Sequence, residues 1–267
     1  MAAALLLDGY AHHTVGRSGT TRDADAACEP APETVRTGGP IIRDTAAGTQ
    51  STSMPPRTVA LTFDDGPDPT WTPRILDVLA KHNVNATFFM VGAEAAANPQ
   101  LVRRVRDAGH EIGSHTYTHA DIGALPAWRT DLEMSLTDNA LAGAAAIRPR
   151  LVRPPYSSVP AALCGGTWDA VRRTAHAGYL IVATDLDSKD WARPGAAAIA
   201  AASTPQDGRG AVVMFHDGGG DRAQTVEGLD LLLTELAKQD YRFTTISEGI
   251  GLPPTPTVDT QAEWRGT

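Results

Sequence analysis

Cysteine is scarce in this chain, which has only Cys28 and Cys164 among its 267 residues. So few thiols exclude a disulfide-dense scaffold and a zinc site built from four thiolates. The sequence permits a disulfide between the two cysteines and contains nothing that supports one. The chain is long enough to be held together by a large hydrophobic core instead.

The sequence also lacks a long apolar run. The run nearest the N-terminus covers Ala2 to Leu7, and no basic residue precedes it. A secretory signal needs about 7–15 apolar residues after a basic segment, and a membrane span needs about 20. The sequence therefore predicts neither a complete signal peptide nor a membrane-spanning segment.

Basic residues are in the minority, with 23 Lys and Arg against 31 Asp and Glu and a formal charge of −8. No run of Lys and Arg supplies the electrostatic footprint of a nucleic-acid binder. The sequence contains neither a G-x-G-x-x-G fingerprint nor a Walker loop, so nothing favours a nucleotide-binding fold. With 42% hydrophobic and 20% charged residues, the composition is that of an ordinary globular protein.

The chain divides into a patterned body between two irregular ends. We expect an irregular leader over residues 1–56, one domain over residues 57–250 and an irregular tail over residues 251–267, because neither end shows a sustained period. Within the body, short apolar runs alternate with helical stretches. The candidate strands are Thr58–Phe63, Ala86–Val91, Glu111–Ser114, Arg150–Arg153, Tyr179–Thr184, Ala211–His216 and Arg242–Ile246.

This alternation of strands and helices predicts a parallel α/β fold. Right-handed crossovers allow either a closed barrel or an open doubly wound sheet. Because the nucleotide-binding loops are missing, we favour a barrel with fewer than the usual eight strands.

Unusual polar residues follow five of the predicted strands. They are Asp64-Asp65, His115 with His119, Arg153-Pro154-Pro155-Tyr156, Asp187 through Trp191, and His216-Asp217. Chemistry in barrel enzymes gathers at the carboxyl ends of the strands, so we expect the five clusters to converge on one mouth. Any one cluster alone has a structural explanation, and Asp217 with the glycines after it predicts a turn at the rim.

His115 and His119 have a spacing that suits two ligands of a zinc-like ion, since one helical turn would place both imidazoles on one side. Thr116 stands where a metalloprotease has its glutamate base, so a third ligand and a base must come from elsewhere. Asp64 and Asp65 offer both, provided that the strand alternation breaks where the chain enters Gly66-Pro67.

The motifs together resemble the polysaccharide deacetylase family, the NodB homology domain of carbohydrate esterase family 4. The matching stretches are TFDDG (Thr62–Gly66), SHTYTH (Ser114–His119), RPPY (Arg153–Tyr156), DSKDW (Asp187–Trp191) and MFHD (Met214–Asp217). They occur in the family's order and cover nearly the whole body. The resemblance implies a distorted (β/α)7-type barrel.

The resemblance also implies roles for five residues. Asp65, His115 and His119 would bind a divalent metal, most often Zn²⁺ with Co²⁺, Ni²⁺ or Mn²⁺ as alternatives, and leave positions open for water and substrate. Asp64 would be the general base that takes the proton of the attacking water, and His216 the general acid that protonates the leaving amine.

Two further residues would support the acid and the base. By the same resemblance, Arg153 pairs with Asp64 and orients it. Asp190 supports His216, because a neighbouring carboxylate favours the imidazolium form.

Three residues would contact the substrate. The resemblance implies that Tyr156 contributes its backbone N–H to the oxyanion and that Trp191 forms a wall of the groove; core packing is the alternative for Trp191. Met214 departs from the family pattern, which usually has leucine in this position lining a pocket for the acetyl methyl.

The resemblance implies a metal-dependent hydrolase that removes N-acetyl groups from amino-sugar polymers or oligomers of the chitin or peptidoglycan type. The substrate would be an acetylated carbohydrate, with no protein partner implied, and the chain would act as a monomer at or outside the cell envelope. An O-acetyl (xylan) esterase or a small-molecule amide or imide hydrolase would use the same residues. A carbohydrate-binding pseudoenzyme is the alternative from another class; its signature would be loss of Asp64 or a metal ligand, and neither is lost.

Overall fold

The computed structural model describes residues 28–157 and 159–253, and a single curled sheet with surrounding helices makes up its core. The strands are β1 Ile41–Thr45, β2 Gly48–Thr52, β3 Thr58–Asp64, β4 Thr87–Met90, β5 Glu111–Ser114, β6 Leu151–Val152, β7 Leu180–Val182, β8 Leu186–Asp187, β9 Ala211–His216 and β10 Arg242–Phe243. The helices are α1 Glu33–Thr37, α2 Trp71–Lys81, α3 Gly92–Ala97, α4 Pro99–Asp107, α5 Ala127–Ala145, α6 Gly165–His176, α7 Ala196–Ala202, α8 Ala223–Leu236 and α9 Ile246–Gly249.

The parallel part of the sheet runs in the order β7-β6-β5-β4-β3-β9-β8, and β10 pairs with β3. β7 and β8 are two pieces of one stretch of chain, residues 180–187. The first piece pairs with β6 and the second with β9, so this stretch bridges the two ends of the parallel sheet. The bridge curls the sheet into a distorted barrel, and the α/β barrel-type fold predicted from the sequence is confirmed.

β3 lies at the centre of the sheet and is buried along its whole length. It pairs with β4 on one side and β9 on the other, which explains its nearly continuous apolar sequence. Leu61 and Phe63 pack outward into the cluster formed with α2 and α8. Because strand side chains alternate, Ala60, Thr62 and Asp64 share the opposite face, which lines the barrel interior.

The seven predicted strands are all present, β5 and β9 with the predicted limits and the others with adjusted ones, and one strand within the body was missed. β8 has only two residues, which is too short for any hydrophobic period to be visible in the sequence. Its pairing with β9 is nevertheless what completes the barrel.

The prediction of an irregular segment up to residue 56 is wrong for residues 33–52, which form α1 and the β1–β2 hairpin. β1 pairs antiparallel with β7, so the hairpin widens the sheet beyond the barrel. Ile41 and Ile42 are fully buried, while β2 lies at the edge and stays half exposed. The remaining parts of the two predicted irregular ends, residues 1–27 and 254–267, lie outside the described residues.

Cys28 and Cys164 form a disulfide, with their Cα atoms 5.6 Å apart. The two residues that follow the cysteines, Glu29 and Gly165, are also connected, because the N–H of Gly165 donates to the carbonyl oxygen of Glu29 at 2.9 Å. The crosslink therefore joins the start of the described chain to the loop between β6 and α6.

Within residues 28–157 and 159–253, the structure contains no helix with both the length and the apolar character required to cross a membrane.

Replacing both Cys28 and Cys164 by serine should lower the free energy of unfolding by about 2–4 kcal/mol, because the crosslink joins residues 136 positions apart and restricts the denatured chain. Urea unfolding of the oxidised protein and of the double variant, followed by circular dichroism, measures the difference. Reduced wild-type protein serves as the control and should match the double variant. Equal stability of the oxidised and reduced proteins would contradict the prediction.

Candidate active site

The predicted polar clusters meet at the carboxyl ends of the parallel strands. Asp64 and His216 end β3 and β9 and are direct neighbours in the sheet register. His115 follows β5, Arg153 follows the adjacent β6, and the Asp187–Trp191 cluster begins in β8 beside β9. The strand ends therefore bring the clusters to one mouth, as the barrel arrangement predicts.

Three potential metal ligands lie together in this mouth. Asp65 Oδ1 is 3.1 Å from His119 Nε2 and 3.5 Å from His115 Nε2, and the ligand atoms of the three residues all lie within 4.8 Å of one another. Asp65 Oδ1 is buried and makes no hydrogen bond to any described residue. A buried carboxylate oxygen without a hydrogen-bond donor, facing two imidazole nitrogens, fits a divalent cation in that space.

The ionisation of Asp65 agrees with a ligand role. Burial alone would raise the pKa of its carboxyl group. The charge of His119 and the contacts with His115 and His119 outweigh burial and hold that pKa well below its usual range. Asp65 is therefore a carboxylate, the form that binds metal.

The outer nitrogen of each imidazole lies within hydrogen-bond distance of a neighbour, and for His115 this neighbour is a carbonyl, which can only accept. His115 Nδ1 lies 2.7 Å from the carbonyl oxygen of Arg153 and therefore donates to it. His119 Nδ1 lies 3.1 Å from the hydroxyl of Tyr156. In both rings Nε2 faces Asp65. In His115, where Nδ1 is the donor, the neutral form of the ring carries its lone pair on Nε2, as in histidines that bind metal.

The backbone is neither a regular strand at Asp65 nor a regular helix between His115 and His119. Asp65 has φ +77° directly after β3, so the strand alternation breaks there, and Asp64 Oδ2 and Asp65 Oδ1 lie 4.0 and 3.5 Å from the same atom, His115 Nε2. The helical turn expected over the two histidines is wrong. Thr116 and His119 have φ +62° and +59°, and the segment between the histidines is a bend.

Arg153 and Asp64 form a buried ion pair next to the ligands. Arg153 Nη1 donates to Asp64 Oδ1 at 2.8 Å and to Thr62 Oγ1 at 2.7 Å. The guanidinium is fully buried and also donates to the carbonyl oxygens of Val182 and Ala183. Asp64 is thereby fixed through Oδ1, while Oδ2 lies toward the candidate metal ligands, 4.0 Å from His115 Nε2.

His216 is held by a buried carboxylate on the other side of the mouth. Its Nδ1 lies 2.6 Å from Asp190 Oδ1, and its backbone N–H donates to Asp190 Oδ2 at 2.9 Å. Burial opposes the charged ring, but the hydrogen bond and charge of Asp190, together with the charges of Asp65 and Asp64, raise the pKa of His216 to about 9. His216 is therefore protonated at neutral pH.

Two predicted substrate-contact residues are exposed and one is buried. Tyr156 and Trp191 expose 55% and 58% of their surface, so the alternative of core packing for Trp191 is wrong. Met214 is buried in β9, between Thr62 of β3 and Asp187 of β8 in the register.

Comparison with known proteins identifies the family. Residues 51–177 match the family model for polysaccharide deacetylases. A peptidoglycan-N-acetylglucosamine deacetylase of Bacillus cereus is 42% identical over 194 residues, which is 71% of this chain and 86% of the relative. The chain belongs to the polysaccharide deacetylase family.

Other members of the polysaccharide deacetylase family have similar sequences and structures. A chitooligosaccharide deacetylase of Sinorhizobium fredii is 39% identical over 205 residues, covering 71% of this chain and 90% of the relative. The crystal structure of the Bc1960 peptidoglycan N-acetylglucosamine deacetylase, in complex with 4-naphthalen-1-yl-N-oxidanyl-benzamide, has a TM-score of 0.70 at 31% identity and covers 76% of this chain and 94% of that chain. The family is metal-dependent, and the group of Asp65, His115 and His119 is a candidate site for that metal.

Asp217 is a site residue whose place the sequence analysis missed. It begins the predicted turn, a bend over residues 217–220, but its side chain is buried behind the Asp65 loop, where it accepts from the Gly66 N–H at 3.1 Å and from Thr72 Oγ1 at 2.5 Å. Burial and the charges of Asp65 and Asp64 raise the pKa of Asp217 to about 7, although the two hydrogen bonds oppose this. The one indication in the sequence that Asp217 lies at the site was its position directly after His216.

Gly66→Ala should impair both the fold and the metal site of this polysaccharide deacetylase, because the new Cβ would overlap the Asp217 carboxylate. We expect a loss of about 1–3 kcal/mol in the free energy of unfolding and weaker zinc binding by the metal-stripped protein. Urea unfolding and zinc titration measure the two effects. Gly143→Ala is the matched control, since a Cβ there meets open space and alanine favours the helix; an equally mild effect of both substitutions would refute the close packing.

Proposed function

We propose that this protein is a metal-dependent deacetylase that removes N-acetyl groups from amino-sugar polymers or oligomers of the chitin or peptidoglycan type. The proposal rests on the grouping of Asp65, His115 and His119 between Asp64 and His216. Asp64 is paired with a buried cation, and His216 is paired with a buried anion. Family membership and the named activities of the relatives support the same reaction.

Asp65 and the Nε2 atoms of His115 and His119 are the proposed ligands, and zinc is the proposed metal, with Co²⁺, Ni²⁺ or Mn²⁺ as substitutes. A set of two imidazoles and one carboxylate is typical of catalytic zinc sites, which keep coordination positions open. When bound, such a cation polarises the acetyl carbonyl and lowers the pKa of water.

Asp64 is the proposed general base. Its Oδ1 is taken by Arg153, so Oδ2, which lies 4.0 Å from His115 Nε2, is the oxygen directed at the reacting centre. A proton taken from the attacking water would rest on that oxygen. Arg153 keeps the carboxylate in place, because its guanidinium is itself fixed by backbone carbonyls.

His216 is the proposed general acid. With Nδ1 bound to Asp190, the ring offers Nε2 to the mouth, and the pKa of about 9 keeps a proton there at neutral pH. An amine is a poor leaving group unless it is protonated, so an amide hydrolase depends on this proton more than an ester hydrolase does.

The rim residues are proposed to contact the sugar. Trp191 presents an exposed aromatic face, which suits stacking on a pyranose ring. Tyr156 would donate its backbone N–H to the oxyanion, and Met214 would line the pocket of the acetyl methyl. Polymers with such acetyl groups lie in the cell envelope, which is the proposed place of action, and a monomer contains all of these residues.

Acetate release tests the proposal directly. Metal-stripped protein with added zinc should release acetate from N-acetylated chitooligosaccharides or peptidoglycan fragments, and His119→Ala should abolish zinc-dependent release by removing a ligand. His176→Ala is the matched control, since His176 is an exposed histidine paired with Asp44, and it should retain full activity. Release from acetylated xylan alone would assign an O-acetyl esterase instead, and binding without any release would assign a pseudoenzyme.

Asp190→Asn should shift the alkaline limb of the pH–rate profile to lower pH by about 1–2 units, because the carboxylate that raises the pKa of His216 is removed. Activity requires the imidazolium and falls as pH rises through that pKa, so a lower pKa brings the fall earlier. Profiles of kcat/KM from pH 5 to 10 measure the shift. Asp230→Asn removes a carboxylate from another aspartate–histidine contact, with His82 on the outer surface, and should leave the profile unchanged; a wild-type profile for Asp190→Asn would rule out this role.

A further inference from the structure

The segment between the two proposed histidine ligands holds an unusual conformation without helical hydrogen bonds. Thr116 and His119 both have positive φ, a conformation that is strained for a non-glycine residue and persists only where the surroundings enforce it. The N–H groups of Tyr117 and Thr118 do not donate to the carbonyl oxygens of β5 as they would in a helix, and Ser114 O accepts from the Arg153 N–H in the sheet instead. The backbone groups of the segment therefore need partners from other elements.

The carbonyl groups of the segment find partners at the start of α3. The N–H of Gly92 donates to Thr116 O and the N–H of Ala93 donates to Tyr117 O, each at 2.9 Å. These contacts hold one side of the segment. The N–H groups on the other side remain to be satisfied.

The carboxylate of Glu133 accepts hydrogen bonds from two N–H groups on that other side of the segment. Its Oε2 accepts from the N–H groups of Tyr117 and Thr118, each at 2.8 Å, and its Oε1 accepts from Thr118 Oγ1 at 2.8 Å. All three bonds go to residues between His115 and His119. Hydrogen bonds to a carboxylate are stronger than those to a neutral acceptor, so Glu133 is a strong constraint on this segment.

The position of Glu133 in α5 indicates that its carboxylate serves to hold the segment between the two histidines. It lies inside α5, away from both helix ends, and is 1% exposed, so it neither caps the helix nor faces water. A buried glutamate is costly unless its oxygens are used, and an apolar residue would serve helix packing better.

We propose that Glu133 is a positioning residue for the metal centre, holding His115 and His119 so that both Nε2 atoms face Asp65. The proposal rests on the proposed function, since it presumes a metal at these three residues. Groups that orient metal ligands typically affect metal affinity 10–100-fold when they are changed.

Two variants separate the contributions of Glu133. Glu133→Ala removes all three acceptor contacts and should weaken zinc binding by the metal-stripped full-length chain about 10–100-fold. Glu133→Gln keeps one acceptor oxygen and nearly the same volume, so it should fold and show an intermediate loss. Competition with a chromophoric chelator measures zinc affinity, and the visible spectrum of the Co²⁺-loaded proteins reports the ligand geometry, which should differ from wild type in both variants.

Asp138→Asn is the matched control on the same helix. Asp138 accepts from the hydroxyl of Tyr179 at 2.6 Å and has no described contact with residues 115–119. This variant should keep wild-type zinc affinity and a wild-type Co²⁺ spectrum even if its melting temperature falls, which distinguishes positioning from general stability.

The outcomes are distinct for the two proposals. Wild-type zinc affinity and a wild-type Co²⁺ spectrum in Glu133→Gln, or in folded Glu133→Ala, would overturn the role of Glu133 and leave the metal centre standing. A wild-type protein that binds neither Zn²⁺ nor Co²⁺ would overturn the metal centre and the proposed function as well.

Discussion

The buried guanidinium of Arg153 connects the closure of the barrel to the arrangement of the active site. It donates to Asp64 and Thr62 of β3 and to the carbonyl oxygens of Val182 and Ala183, where the bridging stretch leaves β7. It also lies over the ring of Phe89, 4.4 Å from the ring centre. Burial of a charge is tolerated only when its hydrogen bonds are complete, and here the donors reach both sides of the barrel interior.

The main chain of Arg153 adds a second connection. Its N–H donates to Ser114 O and its carbonyl accepts from His115 Nδ1. One residue therefore links the proposed base, one proposed metal ligand and the strands that carry them. A displacement of β6 would disturb the base and the ligand together, which makes the geometry of the site a property of the barrel rather than of single loops.

Buried carboxylates behind the loops form the next layer of support. Asp217 lies behind Asp65, Glu133 behind the histidines and Asp190 behind His216, and each accepts a backbone N–H of the segment that it supports. The formal charge of −8 is thus partly concentrated around one mouth. Arg153 and protonated His216 offset part of that charge, and a divalent cation at the candidate site would offset more, so the acidic excess is not spread evenly over the surface.

The barrel and the converging polar clusters could be predicted from the sequence, because apolar strand patterns and the spacing of motifs can be recognised directly in the order of the residues. The β1–β2 hairpin was missed, since the edge strand β2 is short, half exposed and rich in polar residues. Glu133 and Asp217 were also missed. Each accepts from a backbone N–H group, which has no sequence signature, and a carboxylate inside a helix, such as that of Glu133, ordinarily indicates a solvated face.

Asp64 and His216, the two proposed proton-transfer groups, are direct neighbours in the sheet register, and their different partners explain how they could keep opposite charges. Asp64 is paired with a fixed cation and His216 with a buried anion, so the protein stabilises a negative charge on β3 and a positive charge on β9. Each group then starts in the state that its role requires, with Asp64 able to take a proton and His216 able to give one. In the proposed reaction Asp64 would take a proton from the attacking water and His216 would give its own proton to the leaving nitrogen, so each strand end would carry one of the two proton transfers. The same asymmetry favours an amide over an ester as substrate, because only the amide makes full use of the proton held on His216.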